Sequence, residues 1–168
     1  MNQYTAIPDQ PRLYDRAGNL IVAGSSCRYS YDYRGQLTEL TDLAAGLTVL
    51  YKYDVLGRRI EKNAGGLITR YYYAGHDEIE EQNASNITLA TFVHPPPGAA
   101  QEGFMERGPL QITRGSQRSL RLSDDAGTCL ALVDAGGVVL ERYEYTHFGR
   151  PSFIDAGGAP LSSSVSGS

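Results

Sequence analysis

Three histidines, two cysteines and a set of regularly spaced aspartates are the residues with which this chain could do chemistry. His76, His94 and His147 could act as general bases or metal ligands. None has a partner at a metal-type spacing such as H-x-x-x-H. His76 precedes Asp77 and Glu78 and reads as part of a solvated loop. His147 falls inside a repeated turn. Cys27 and Cys129 form no C-x-x-C pair and read as reduced, partly buried thiols. Asp32 and Asp54 would need to meet within about 5–9 Å to work as a carboxylate pair, and their regular placement assigns them to turns instead. Calcium takes oxygen ligands, but no contiguous D-x-D-x-D-G loop is present, so the turn reading is the stronger. There is no G-x-S-x-G elbow and no glycine-rich phosphate loop before a helix. The expectation is no catalytic residue, no cofactor-binding residue, no metal ligand and no enzyme activity.

Composition narrows the class of protein. Lys and Arg number 15 against 19 Asp and Glu, a net charge of −4 over 168 residues. Interspersed signs and a mildly acidic balance exclude the basic face of a nucleic-acid binder. No apolar run approaches the ~20 residues of a membrane helix. No basic–apolar–small segment opens the chain, so no signal peptide is expected. Asn83-Ala84-Ser85 and Asn86-Ile87-Thr88 match the glycosylation pattern but read as turn residues in a polar stretch. There are 12 Tyr and 19 Gly and no Trp. Many strands and many tight turns fit that composition; a helix bundle, a coiled coil or a disordered chain does not.

The glycines and tyrosines recur together. Tyr14-Asp15-Arg16-Ala17-Gly18, Tyr31-Asp32-Tyr33-Arg34-Gly35, Tyr53-Asp54-Val55-Leu56-Gly57 and Tyr145-Thr146-His147-Phe148-Gly149 align in register. Tyr73-Ala74-Gly75 is a decayed copy, and Leu122-Ser123-Asp124-Asp125-Ala126-Gly127 a copy without the tyrosine. Asp followed three residues later by Gly is the signature of a type I turn. The glycine then supplies the positive φ of a G1 bulge, a common hairpin connection. Tyr ends the incoming strand, and the residues after Gly begin the outgoing one.

The sequence between the turns alternates as strands do. In Leu47-Thr48-Val49-Leu50-Tyr51-Lys52-Tyr53 the odd positions are Leu, Val, Tyr and Tyr. Val139, Tyr143 and Tyr145 share one face, with Leu140, Arg142 and Glu144 on the other. The far ends of the hairpins carry Ala64-Gly65-Gly66, Ala84-Ser85-Asn86, Ala135-Gly136-Gly137 and Ala156-Gly157-Gly158. Leu37, Leu40, Leu43, Ala44 and Leu47 also fit helical spacing, but Gly46, the threonines and the preceding turn favour strands. The expected fold is all-β, an antiparallel meander of hairpins forming a curved sheet with strands of about six residues. Residues 1–93 form one repeat block and 120–155 another. Residues 94–119, proline-rich and poor in alternation, read as a surface excursion, and 156–168 as a flexible Ser/Gly tail.

The Tyr-Asp-x-x-Gly copies resemble the YD repeats of the RHS family of large bacterial proteins. Asn2-Gln3-Tyr4-Thr5, residues 51–59 and residues 133–145 are also similar to that family's core. The likeness covers most of residues 2–155 and is weakest over 94–119. It implies a section of a long antiparallel sheet wound into a hollow shell. In the family that shell encloses a C-terminal toxin, carried by secretion systems or insecticidal toxin complexes, and related eukaryotic adhesion receptors reuse it. The family's core normally continues into an Asp-Pro-rich self-cleavage region. This sequence has no Asp-Pro dipeptide, so no cleavage residue carries over. The implied localisation is a bacterial cytoplasmic product exported by such a system.

Two functions from different classes follow. The first is a structural segment of shell wall, partnered by further repeats of a longer chain, by an enclosed toxin segment, or by itself through its sheet edges. Exposed edges offer unpaired N–H and C=O groups. The second is a carbohydrate or cell-surface binding module. Its candidate residues are Tyr29, Tyr31, Tyr33, Tyr51, Tyr53, Tyr71 and Tyr73, which could line a sheet face. Cross-strand packing explains the same tyrosines more simply.

Overall fold

The computed structural model describes residues 6–7, 10–96, 108–162 and 164. These residues form strands and turns with no helix among them. The strands are β1 (Ala6–Ile7), β2 (Gln10–Tyr14), β3 (Leu20–Ala23), β4 (Cys27–Tyr31), β5 (Leu37–Asp42), β6 (Leu47–Tyr53), β7 (Arg59–Ala64) and β8 (Leu67–Ala74). They continue as β9 (Asp77–Asn83), β10 (Thr88–Val93), β11 (Gln111–Arg114), β12 (Gln117–Ser123), β13 (Cys129–Val133), β14 (Val139–Tyr145) and β15 (Pro151–Ile154). Each pairs with its sequence neighbours, antiparallel wherever the register is defined. The all-β antiparallel meander is therefore the fold.

The chain divides into two units. One is Met1–Tyr71 with Gln82–Ile87, and the other is Tyr72–Glu81 with Thr88–Ser168. In the first unit one cross-strand row runs Tyr29, Leu40, Val49, Ala64, Leu67. Val49 is buried and Leu67 at the end of the row is open to solvent. The row Glu39, Leu50, Asn63, Ile68 lies on the other face, where Leu50 is exposed. Alternation thus decides which face packs, as a period of two requires. In the second unit the buried apolar residues are Ala90, Ala131, Leu132 and Val133. Neither set is a thick core. Backbone pairing and turns carry most of the order.

The helical alternative over 37–47 is not taken. β5 leaves the turn at Asp32 directly, and Gly46, at φ 62°, sits in the connection to β6. Two other expectations need correction. β11 and the first three residues of β12 lie inside the stretch read as an excursion, and Thr113 pairs with both Thr91 and Arg118. Four-residue strands flanked by proline and glycine leave too short a window for alternation to register. Residues 155–161 are hydrogen-bonded rather than a free tail, with Leu161 N–H donating to the Phe153 carbonyl at 2.8 Å. Residues 97–107, 163 and 165–168 lie outside the described residues, as do Asn2 to Thr5.

The G1 bulge predicted from sequence is present. The register shifts by one between Leu13 and Tyr14, between Ser30 and Tyr31, and between Lys52 and Tyr53, each time beside a Tyr-Asp turn. Gly57 has φ 83°, and a Cβ added there would lie 3.2 Å from Gln36 Nε2. Strain at such a φ costs roughly 1–3 kcal/mol. Gly57→Val should therefore lower the unfolding free energy by about 1–3 kcal/mol. Denaturant melts of the 168-residue chain check this, and an unchanged midpoint would contradict the assigned turn.

Candidate functional site

The Tyr-Asp-x-x-Gly segments are where the distinctive residues gather, so the site is built from one of them. At Asp54 the backbone N–H donates to the Arg58 carbonyl at 2.9 Å, and Gly57 N–H donates to the Asp54 carbonyl at 3.0 Å. Asp54 Oδ1 accepts from the N–H groups of Leu56 and Arg58, both at 2.9 Å. Asp54 Oδ2 takes Arg58 Nε at 2.7 Å, and Arg58 Nη2 lies 2.6 Å from the same oxygen. One short carboxylate therefore satisfies two turn amides and holds the Arg58 side chain, with the local logic of an Asx turn in the amide bonds.

The Asp54 backbone pattern recurs at Asp15, Asp32, Asn83, Asp124, Asp134, Thr146 and Asp155, eight turns in all among the described residues. Asn83 Oδ1 accepts from Ser85 and Ile87, and Asn86 provides the positive φ, 60°, in place of glycine. At Thr146 the hydroxyl takes the Arg150 amide at 3.1 Å. The turns at Asn83, Asp134 and Asp155 lie in three stretches that the sequence reads as unrelated far-end turns. They belong to the same class. The missed signal is the Asp or Asn three residues before the positive-φ position, hidden because no tyrosine precedes it.

The tyrosine has a separate task. Tyr31 Oη donates to the Leu20 carbonyl at 2.9 Å, Tyr53 Oη to Leu37 at 2.8 Å, and Tyr145 Oη to Cys129 at 2.9 Å. Each acceptor lies five residues after the aspartate of the turn two connections back, Asp15, Asp32 and Asp124 in order. The tyrosine before one turn thus stitches that turn to the one two connections earlier. Burial pushes the hydroxyls of Tyr31, Tyr53 and Tyr145 above their ordinary value of 10.0. Gln36 Nε2 and Arg34 Nη1 add links from the Asp32 turn to the Gly57 and Val55 carbonyls, both at 2.9 Å.

Between the Asp32 and Asp54 turns lies an open groove of about 570 Å³, lined in part by Tyr33, Arg34, Tyr51, Tyr53 and Ile60. Tyr33 is 95% exposed. Most of the other candidate tyrosines are engaged: Tyr31 and Tyr53 in stitches, Tyr51 and Tyr71 against Arg59, whose guanidinium is 5.9 Å and 4.5 Å from the two rings.

The remaining candidates are dispersed. His76 and His147 are exposed in turns. His94 is half-buried, its Nε2 2.7 Å from the Glu78 carbonyl and its Nδ1 3.8 Å from Asp77. Cys27 and Cys129 are half-buried free thiols, and burial pushes the Cys129 thiol up. Among the described residues no three His, Cys, Asp or Glu side chains gather as metal ligands would. Asp32 and Asp54 each direct Oδ1 at two turn amides.

A ladder of near-identical turns, stitched tyrosine to carbonyl, is a wall-building device. The teneurin YD-shell family model matches residues 1–153. The chain belongs to that family. It is similar to the tRNA3(Ser)-specific nuclease WapA of Bacillus spizizenii, 28% identical over 159 residues, with 93% of this chain and 6% of the relative covered. Teneurin-3 of Mus musculus is 26% identical over 159 residues, covering 90% and 6%. The chain thus spans about 6% of the length of the curated relatives it matches. Among solved structures it is similar to the Photorhabdus luminescens Tc holotoxin pore carrying TccC3-D651A. The TM-score is 0.55 at 18% identity, over 83% of this chain and 7% of that one, a likeness of fold. The RHS/YD-repeat resemblance is borne out, and the chain is a structural segment of a YD shell.

Two outcomes test the ladder. Tyr53→Phe removes a donor and leaves the Leu37 carbonyl without it, so it should cost about 1 kcal/mol. Tyr33→Phe, at an exposed turn tip, should stay within about 0.5 kcal/mol of the parent. Chemical denaturation of both variants measures the difference. The acid side follows from carboxylates held low. For Asp54, burial raises the value, but the Arg58 hydrogen bonds and charge together outweigh it and hold it below 3.8. The Lys52 hydrogen bond leads in holding Glu61 below 4.5. A folded value below the unfolded one means the stabilisation is present above the unfolded value and is lost as pH falls through the folded one. The thermal midpoint should be flat from about pH 7 to about pH 5 and fall below about pH 4. Asp54→Asn should shallow that fall in melts followed by circular dichroism.

Proposed function

We propose that this chain is a non-enzymatic length of shell wall which, within a longer protein, helps to enclose a C-terminal toxin segment. The observation that carries the reading is the commitment of the repeated residues. Aspartates cap turns, tyrosines tie one turn to the next, and glycines allow the bulge. Among the described residues, the aspartates, glycines and stitching tyrosines of the repeat are engaged in turns and in the ties between them. The relatives named as WapA are tRNA nucleases, and a wall surrounding such an activity is consistent with 6% coverage of those chains. The partners are then further repeats of the same chain and the segment they surround. Two measurements test this. The 168-residue chain should leave tRNA intact under conditions where an intact nuclease cleaves it, and cleavage would refute the wall reading. In a full-length product, limited proteolysis should spare a C-terminal segment until the wall is unfolded.

A second reading has one observation in its favour, the exposed Tyr33 ring beside the groove between the Asp32 and Asp54 turns. Sugar rings stack on such aromatic faces. In this reading the groove takes a saccharide, Tyr33→Ala abolishes binding in a calorimetric titration, and Tyr71→Phe leaves it intact.

A further inference from the structure

β6, β10 and β14 end on the same three-step pattern. Val49, Tyr51 and Tyr53 alternate along β6, and Glu141, Tyr143 and Tyr145 along β14. Ala90 and Phe92 on β10, with His94 just after it, keep the same spacing. Alternate residues share a face. The first of each trio is buried: Val49, Ala90 and Glu141. The second is an aromatic ring met by a side chain from the following strand. Arg59 of β7 lies 5.9 Å from the Tyr51 ring, Arg114 of β11 lies 6.0 Å from Phe92, and Phe153 of β15 lies 5.7 Å from Tyr143.

The third member is the one that ties strands together. Tyr53 and Tyr145 each donate to a carbonyl 16 residues back, at Leu37 and Cys129. His94 Nε2 lies 2.7 Å from the Glu78 carbonyl, which is also 16 residues back. Leu37 is on β5, Cys129 on β13 and Glu78 on β9, in each case the strand before the one that carries the ring. A carbonyl only accepts, so Nε2 is the protonated nitrogen. The other ring nitrogen, Nδ1, is 3.8 Å from Asp77 Oδ1, beyond hydrogen-bond distance. The Glu78 carbonyl and not the Asp77 carboxylate therefore fixes the ring. The side chain is 15% exposed, so the bond is largely shielded from water.

β12 shows what the position requires. Ser123 stands there, just before Asp124, and its Oγ is buried without a hydrogen-bond partner among the described residues. A hydroxyl on Cβ is a donor without reach. The position thus needs a donor at the far end of a side chain, and a phenol is one way of supplying it.

We propose that His94 is a member of the stitching ladder, its ring N–H tying β10 to β9 as the tyrosine hydroxyls tie β6 to β5 and β14 to β13. The ladder then continues through a position where the sequence shows neither tyrosine nor aspartate, since Pro95 follows His94. This holds whatever the wall encloses.

Nuclear magnetic resonance of the 168-residue chain tests the bond directly. The His94 Nε2 proton should exchange at least about a hundredfold slower than that of a free imidazole; exchange at the free rate overturns the proposal. The second test compares His94→Gln with His94→Asn. Both keep a carboxamide, but only glutamine carries its N–H out to the place of Nε2. In denaturant melts the asparagine variant should show a folded-to-unfolded ratio about fivefold below that of the glutamine variant, the worth of one hydrogen bond to a shielded carbonyl. Equal stability of the two overturns the proposal. If either variant does not fold, the exchange rate of the Nε2 proton in the parent decides.

Discussion

A single carboxylate oxygen accepting two backbone amides is the interaction on which the rest of this structure depends. The amides of a tight turn point inward at one another and have no strand partner. Left unpaired they would open the turn to water and let the two strands slip. Asp54 Oδ1 holds the Leu56 and Arg58 amides and thereby sets where β6 ends and β7 begins. The register of that pair then places Val49, Tyr51 and Tyr53 toward one face. A slip of one residue would turn all three to the other side. The same geometry at Asp32 and Asp15 fixes the neighbouring hairpins, so the turn chemistry sets the faces of the first unit.

Stitches between turns make the hairpins cooperative. A lone two-stranded hairpin is marginal in water. Tyr31 and Tyr53 reach from their own turns to carbonyls of the preceding hairpins, and Gln36 and Arg34 reach forward to the next turn. The Asp32 and Asp54 turns are therefore held by each other as well as by their own aspartates. This explains how the fold persists with few fully buried side chains. It also explains a high tyrosine content without tryptophan. The stitch needs a ring long enough to lie along the sheet with an oxygen donor at its far end, and the indole N–H does not sit there.

The hairpins, the bulges and the strand choice over 37–47 were legible in the sequence because each rests on local sterics. Asp-x-x-Gly writes its own conformation into five residues. The turns at Asn83, Asp134 and Asp155 were harder to classify. They use the same oxygen geometry without the tyrosine, and at Asn83 with Asn86 in place of glycine. β11 and the start of β12 were misplaced because four residues carry too little alternation to be seen beside prolines and glycines. Of the candidate tyrosines, type and spacing identified the residues and not their use. A cross-strand packing residue, a ligand platform and a stitch look alike in one dimension.

By itself, the sequence determined the secondary structure class, the turn type and the repeat that marks a YD shell, because those follow from backbone sterics and hydrogen bonds within about five residues. Only the tertiary structure decided where the tyrosine hydroxyls land, and that Glu141 is buried and accepts from the Ser164 hydroxyl. Each of these joins residues 11 to 23 positions apart. Such contacts depend on how many strands lie between two points and on which face the chain crosses, and neither quantity is carried by local spacing.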